Sequence, residues 1–505
     1  MTDLLSTTQP SPGAVPYGRR IRELAASHPD APAVITAALD GTERVLSWRE
    51  LEDTSNQLAR VLAERGVDHE SMVVIGLPNG PEHYLWTSAA WKLGACALAL
   101  NPRMPTAERD AVLELARATI VVSTWDDVAG LAADPSAGEG RSTDPMQPDL
   151  VARPGRAVAS GGSTGRPKII VLPAGMEVVP GDTGGMGEMG GMQPEQVQLV
   201  PGPLYHNMPH GWSYIGLMHD HTLVVMERFD AALAVDLIER HRVSFSAVVP
   251  THMSRIAKLP DIDQRDLSSI QAILHSAAVC PAWLKRRWIE LIGPEKVHEG
   301  FGATEAVGLT VIRGDEWLEH PGSVGRPVGC DLRILDEDGN ELPPGEVGEI
   351  FTRPHSDVPT YDYIGSARAK STEDGFVSVG DLGWVDEEGY LFVADRRVDL
   401  IISGGSNIYP AEVEAALLEH PSVGDVAVIG LSDPDWGRRV HAIVQLRDGH
   451  AADEDELRSH CKQRVASYKV PKSIEFVEAL PRNDAGKLRR SDLVAEREAA
   501  PASAG

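Results

Sequence analysis

The sequence predicts an α/β fold, with a large N-terminal domain of layered α/β sheets, a β-rich subdomain and a small α+β C-terminal domain. Three observations carry this expectation. The chain has 505 residues, beyond the size at which one hydrophobic core stops growing. Apolar strand-like runs alternate with amphipathic helical stretches through the first four-fifths, as layered sheets require. After about residue 322, short strands and turns replace the long helices.

Each element follows in order. Behind a Pro/Ser/Gly-rich arm, RIRELAASHP and SWRELEDTSNQLARVLAERGV place apolar residues at helical spacing, the second stopping at Gly66. SMVVIGLPN reads as a buried strand, and YLWTSAAWKLGACALALN as helix then strand. TLVVMERFD, AALAVDLIERHRV and FSAVVPT repeat the alternation. The turns LDEDGN and PPGEVGEI mark the β-rich stretch 322–394. From Leu400 the order is strand, loop, helix AEVEAALLEH, strands DVAVIGL and HAIVQLRD, helix DEDELRSHCKQRV and strand SIEFVEAL. The expected division is therefore 1–394, a hinge at 395–399 and 400–505, with the tail EREAAPASAG disordered. The Gly- and Met-rich stretch 174–194 has two open readings, a surface loop or a flexible wall over a bulky apolar substrate.

Composition narrows the function. Apolar residues make up 42% and charged residues 24%, and 47 basic against 74 acidic residues leave a net charge of −27. Such a surface repels nucleic acid and anionic lipid, and a polyanionic substrate must be met by locally gathered positive groups or a metal ion. Cys96, Cys280, Cys330 and Cys461 lie far apart without metal-ligand or disulfide spacing. With no signal-like start and no bilayer-spanning run, a cytoplasmic enzyme without integral membrane association is expected, its oligomeric state open.

The chemistry concentrates in short motifs. Ser160, Gly161, Gly162, Ser163, Thr164 and Gly165, followed by Arg166, Pro167 and Lys168, gather glycines, hydroxyls and a cation in nine positions. A backbone wrapped round phosphate oxygens needs that mixture. The Gly-Lys-Ser/Thr end of a nucleotide P-loop is missing, and Pro167 with the following Ile169-Ile170-Val171 points to a strand instead. Downstream stand Glu299, Gly300, Phe301, Gly302, Ala303, Thr304 and Glu305, then Gly380-Asp381, Arg396, Ser403-Gly404-Gly405-Ser406-Asn407, and Pro481-Arg482-Asn483-Asp484-Ala485-Gly486-Lys487. Taken singly, Thr304 reads as a helix cap, Asp381 as a turn residue and Lys487 as a solvated lysine.

Together, in this order, the motifs resemble those of the adenylate-forming superfamily: acyl- and aryl-CoA synthetases, adenylation domains of peptide synthetases, and firefly luciferase. The resemblance implies ATP, Mg²⁺ and coenzyme A as cofactors, with a small-molecule carboxylic acid as substrate. It implies that Phe301 packs on adenine, that Thr304 contacts the α-phosphate, and that Glu305 holds Mg²⁺. Asp381 and Arg396 would bind ribose, and Ser276-Ala277-Ala278 would form a strand against adenine. Lys487 would be the lysine of adenylate formation. Rotation of the C-terminal domain would then bring Gly404 and Gly405 to a pantetheine tunnel. The hinge position, usually Asp or Lys in relatives, is Val398.

Asp435-Trp436-Gly437 looks like the segment of aryl-CoA ligases in which Trp packs on the CoA adenine, with Tyr468 and Lys469 nearby. Partial burial of Trp436 in its own domain is the equal alternative. Pro203-Leu204-Tyr205-His206-Asn207 resembles the acyl-pocket motif, making His206 the first pocket residue, with His210 and Trp212 close by. Few aromatics, the Gly/Met stretch and the SGGSTGRPKII form look like bile-acid or steroid-side-chain ligases, with aryl and medium-chain fatty acids as alternatives. An adenylation enzyme loading a carrier protein and a non-catalytic acyl-adenylate-binding protein are the rival readings.

Overall fold

The computed structural model describes residues 10–161, 167–356, 358–396, 399–403, 406–447, 449–482 and 488–499, without the side chains of 160, 161, 185, 186 and 396. Its helices follow their local signals. At the start of Trp48–Glu64, the Glu50 carboxylate accepts from Ser47 N–H at 2.8 Å while Ser47 Oγ accepts from Glu50 N–H, a complete capping box. Leu51, Leu58 and Leu62 bury one stripe of this helix, and Gly66 ends it at φ +84°, where a side chain would be strained.

Two sheets carry the N-terminal part. One has nine strands among the described residues, with Val297–Gly302, Ala272–His275, Phe245–Val248, Val197–Val200, Thr222–Met226 and Pro32–Ala37 parallel in its interior. The other has seven, centred on parallel Arg156–Gly161, Cys96–Ala99, Met72–Gly76 and Ile120–Ser123. Helix Pro81–Lys92 touches strands of both sheets and is buried nearly all round, which accounts for its lack of a polar face. The single charge it buries, Lys92, is held by the Glu52 carboxylate at 2.7 Å and the Asn56 carbonyl oxygen at 2.7 Å.

The β-rich stretch forms an antiparallel sheet between Cys330 and Arg396. Asp362–Ile364 leaves it to pair with Pro167–Leu172 at the edge of the seven-stranded sheet. The last hundred residues have their own core, in which Val413, Leu417, Val426 and Val444 meet under Val423–Asp433, Gly437–Leu446 and Ser473–Val477. No helix of the described residues is long and apolar enough to cross a membrane.

Two expectations need correction. Ser276, Ala277 and Ala278 are not a strand: the strand ends at His275, and Ala277 turns to φ +73°, which no strand accommodates. The segment EREA belongs to helix Arg490–Ala499, anchored by buried Leu493 and by Arg497 against Glu475 at 2.6 Å. Of the two readings of residues 174–194, the structure carries features of both: Val179, Pro180, Gly181 and Asp182 are exposed, while part of the stretch lines the cleft. Glu177–Val178 pairs antiparallel with Val15–Pro16 of the N-terminal arm, and Met176 and Met192 are buried.

Candidate active site

Where the interior strands of the nine-stranded sheet end, Gly202, Val249, Ser276 and Gly302 open onto a cleft of about 3320 Å³. The carboxyl ends of parallel strands are the usual ligand position in such sheets. The volume exceeds the roughly 300–1,000 Å³ of a pocket for one small ligand and leaves room for a nucleotide beside an acid. The β-rich sheet and the C-terminal domain close its other sides.

At one end the cationic and acidic motif residues meet. Lys168, on the strand after the glycine loop, places Nζ 3.1 Å from Glu305 Oε1. Tyr363 donates its hydroxyl to the same oxygen at 2.5 Å, and Lys168 Nζ sits 4.0 Å from the centre of the Tyr363 ring. Burial, and then this bond to a carboxylate, raise the Tyr363 pKa well above its usual range. Tyr363 went unnoticed in the sequence because nothing in TYDYIG marks the strand that crosses to the other sheet. Gly300, Phe301, Gly302, Ala303 and Thr304 line the same end, as do Ser276, Ala277 and Ala278 in their turn.

Glu299 lies beneath, with Lys285 Nζ 2.5 Å from its Oε2 and both side chains almost fully buried. Burial raises the Glu299 pKa, opposed by Lys285. Nearby, Asp381 is buried and lies directly opposite Arg396 in the strand register.

Gly162, Ser163, Thr164, Gly165, Val398, Gly404, Gly405 and Lys487 lie outside the described residues, as do the side chains of Ser160 and Arg396. The flanks of the Lys487 segment nevertheless line the cleft. Arg482 binds Asp425 at 2.5 Å, Arg489 reaches Glu108 at 3.0 Å, and across the gap Lys258 Nζ donates to the Gly424 carbonyl at 2.8 Å. Arg490, also missed in the sequence, joins the helix after this segment to Asp399 and Glu414, both at 2.9 Å. The surrounding carboxylates outweigh burial and hold its pKa above the usual range.

The opposite face of the C-terminal domain carries the remaining motif residues. Trp436 is 49% exposed, with Lys472 Nζ of its own domain 5.1 Å from its ring centre, and Tyr468 is 48% exposed. Lys469 is paired with Glu412 at 2.6 Å. None of the three lines the cleft.

The other end of the cleft runs along one sheet face. The pairs Ser160 with Lys168, Val158 with Ile170 and Arg156 with Leu172 succeed one another away from the phosphate-loop end. Helix Asn207–Met218, packed on the nine-stranded sheet, meets this face at Arg156; His206 is its N-cap, and His206, Asn207, His210 and Trp212 line the cleft. Behind His210 lies a buried cluster with His83, Tyr84, Trp91 and Tyr214. Burial pushes the His83 pKa down to about 3 and that of His210 well below its usual value, so both rings are neutral.

Comparison with known proteins agrees with this architecture. Residues 21–154 and 158–361 match the AMP-binding enzyme family, and residues 412–487 match the AMP-binding enzyme C-terminal domain. A feruloyl-CoA synthase from Amycolatopsis is 34% identical over 468 residues, covering 89% of this chain and 93% of that one. A 2-succinylbenzoate–CoA ligase from Bacillus licheniformis is 30% identical over 495 residues, covering 94% and 98%. The solved o-succinylbenzoate CoA synthetase from Bacillus subtilis, in complex with its acyl-adenylate intermediate, superposes with a TM-score of 0.80 at 28% identity, covering 95% of this chain and 98% of that one. The chain, with its cleft at the strand ends and its small C-terminal domain, thus belongs to the AMP-binding enzyme family, the adenylate-forming enzymes.

Proposed function

We propose that this enzyme is an ATP-dependent acid–CoA ligase that converts a hydrophobic carboxylic acid to acyl-AMP and then to acyl-CoA. The observation that carries the reading is the cleft itself: a cation–carboxylate pair at the strand ends, continued by the apolar sheet face of Val158, Ile170 and Leu172.

In the first half-reaction a carboxylate oxygen attacks the α-phosphorus of ATP, the bond to the bridging oxygen breaks, and pyrophosphate leaves. Two anions must be brought together, so the site must neutralise charge and hold the atoms in line. Lys168, Thr304 and Lys487 supply donors to the phosphates, and Asp381 with Arg396 would hold the ribose. A carboxylate accepts both hydroxyls of a diol. Glu305 fits a role beside Mg²⁺. It is a buried carboxylate at the phosphate end, and among the described residues no cluster of three or more His, Cys, Asp or Glu could hold a metal by protein ligands alone. Mg²⁺ is commonly bound through one or two carboxylates plus substrate phosphates, whose charge it neutralises.

In the second half-reaction the CoA sulfur attacks the acyl carbon, the bond to AMP breaks, and the thiol proton is lost. Gly404 and Gly405, which the resemblance assigns to a pantetheine tunnel, and exposed Trp436 would serve this step, after rotation about a hinge at 395–399 withdraws Lys487. An aromatic face is a suitable platform for a purine. Residues 1–394 and 400–505 would then move as two bodies.

As to the acid, the relatives' names point to aryl acids, and the part of 174–194 that lines the cleft would also suit a bile-acid or steroid side chain. Pyrophosphate release with ATP and Mg²⁺ across benzoates, cinnamates, steroid acids and fatty acids, with and without CoA, separates them. CoA-dependent turnover of one class establishes the ligase, whereas release without thioester formation overturns the CoA assignment in favour of a carrier protein. Silence throughout overturns the catalytic reading.

A further inference from the structure

Arg156 has no role in the chemistry described above, and its surroundings are unusual for an arginine. It starts the strand that leads to the glycine loop, at the end of that strand away from the loop, and lines the cleft. Its one hydrogen bond among the described residues is a long one, from Nη1 to the Asn207 carbonyl at 3.4 Å, and it forms no ion pair there. A partly buried guanidinium normally gathers carboxylates and carries several donors.

Among the described residues no unengaged carboxylate is in position to serve it. From its own sheet it meets Val158 and Leu172, from the N-terminal arm Tyr17, and from the helix that meets this face Asn207, neutral His210 and Gly211. Glu177, which also lines the cleft, is already engaged by Arg153 at 2.5 Å and by the Ser11 backbone at 2.7 Å. The guanidinium lies beside the first turn of helix Asn207–Met218, where the helix dipole favours an anion. Gly211 makes this placement possible: a Cβ there would stand 2.5 Å from Nη1.

We infer that Arg156 is a specificity-determining residue that receives a second carboxylate at the far end of the acyl substrate. The substrate class is a dicarboxylic acid with an apolar middle. One carboxylate lies at the phosphate end beside Lys168, the apolar segment runs over Val158 and Ile170, and the other carboxylate meets the guanidinium. Four residues separate Ser160 from Arg156, about 13 Å along a strand, which sets the span between the two acidic groups at roughly a nanometre. The inference rests on the ligase reading of this cleft.

The test compares α,ω-dicarboxylic acids, from adipic to dodecanedioic, with their monomethyl esters, as substrates for CoA-dependent pyrophosphate release. The ester keeps one reacting carboxylate and removes only the distal charge. The wild-type enzyme is expected to prefer a diacid in kcat/KM, with a maximum at one chain length. In Arg156→Met the preference for diacid over monoester should fall by about a hundredfold, the scale of a charge-assisted bond. Arg156→Lys should recover part of it. Gly211→Ala, which displaces the guanidinium without removing it, should lower the preference in the same sense.

Equal turnover of diacid and monoester by the wild type overturns the inference and leaves the ligase reading standing. So does an equal loss on both substrates in Arg156→Met whose circular dichroism and melting temperature match the wild type. No CoA-dependent turnover of any acid, in this series or the wider panel, would instead overturn the ligase reading itself.

Discussion

At the nucleotide end of the cleft, Lys168 stands 3.1 Å from Glu305 and Lys285 stands 2.5 Å from Glu299. At the acyl end, Arg156 has a single carbonyl at 3.4 Å, and His83 and His210 are buried and neutral. The nucleotide end is organised before any ligand arrives, with its cations aimed and balanced. Fixed dipoles and charges of this kind stabilise developing charge without reorganising at the moment of reaction. The acyl end leaves its cation open, and the ligand must bring the opposite charge. Charge is thus matched internally at one end of the cleft and left for a ligand to match at the other.

The largest expected effect comes from breaking the matched end. Lys285→Met leaves Glu299 buried without its cation, and removing one partner of a buried pair typically costs about 3–5 kcal/mol. Chemical denaturation of the variant should show a loss of that size; a loss under about 1 kcal/mol would mean that Glu299 is protonated and the pair is not ionic. Next is Glu305→Gln, which should lower the rate of acyl-AMP formation by about 10²–10³-fold, the usual cost of deleting one electrostatic group from an active site. Unchanged acyl-AMP formation in single turnover would remove Glu305 from the chemistry.

The unmatched end should respond to pH instead. The folded-state pKa of His83 is about 3, below the ordinary value of about 6.5, because burial disfavours its charged form. Its contribution to stability is present above pH ~6.5 and is lost as pH falls from there towards 3, by about 1.4 kcal/mol per pH unit. His210 adds to the loss in the same direction. Unfolding free energy should fall steeply from pH 6.5 to 5.5, and His83→Phe should flatten the slope. An unaltered slope in the variant would show that the acid sensitivity lies elsewhere.

The two ends also differ in how much the sequence discloses. Lys168, Thr304, Glu305 and Asp381 were legible because each sits in a short motif in which glycines, hydroxyls and charges are neighbours in the chain. The helices and interior strands were legible for a similar reason, since the capping box at Ser47 and the apolar run Met72–Gly76 are local signals. Arg156, Tyr17, His83 and Gly211 meet only through the fold, from four separate segments. The helical character of EREA was hidden because its anchors, Glu475 and Ser432, lie on other strands. Ala277 was hidden too, since a left-handed alanine carries no mark in a sequence that allows it a strand.

Tyr363 belongs to the nucleotide end in space and to the illegible class in sequence, which makes it the finest test of the comparison. Its hydroxyl donates to Glu305 Oε1 at 2.5 Å while its ring faces Lys168 Nζ at 4.0 Å, so one side chain orients both members of the pair. Tyr363→Phe keeps the ring and deletes only the donor. A hydrogen bond to a charged group is worth about 1.5–3 kcal/mol, but Glu305 keeps Lys168 as a partner, so the expected loss is near the lower figure, about tenfold in kcat/KM for ATP. KM for the acid should not change, because Tyr363 is a positioning residue at the phosphate end. A rise in the acid KM with adenylation otherwise intact would mean that the two ends are one continuous site, and that the division between matched and open charge is wrong.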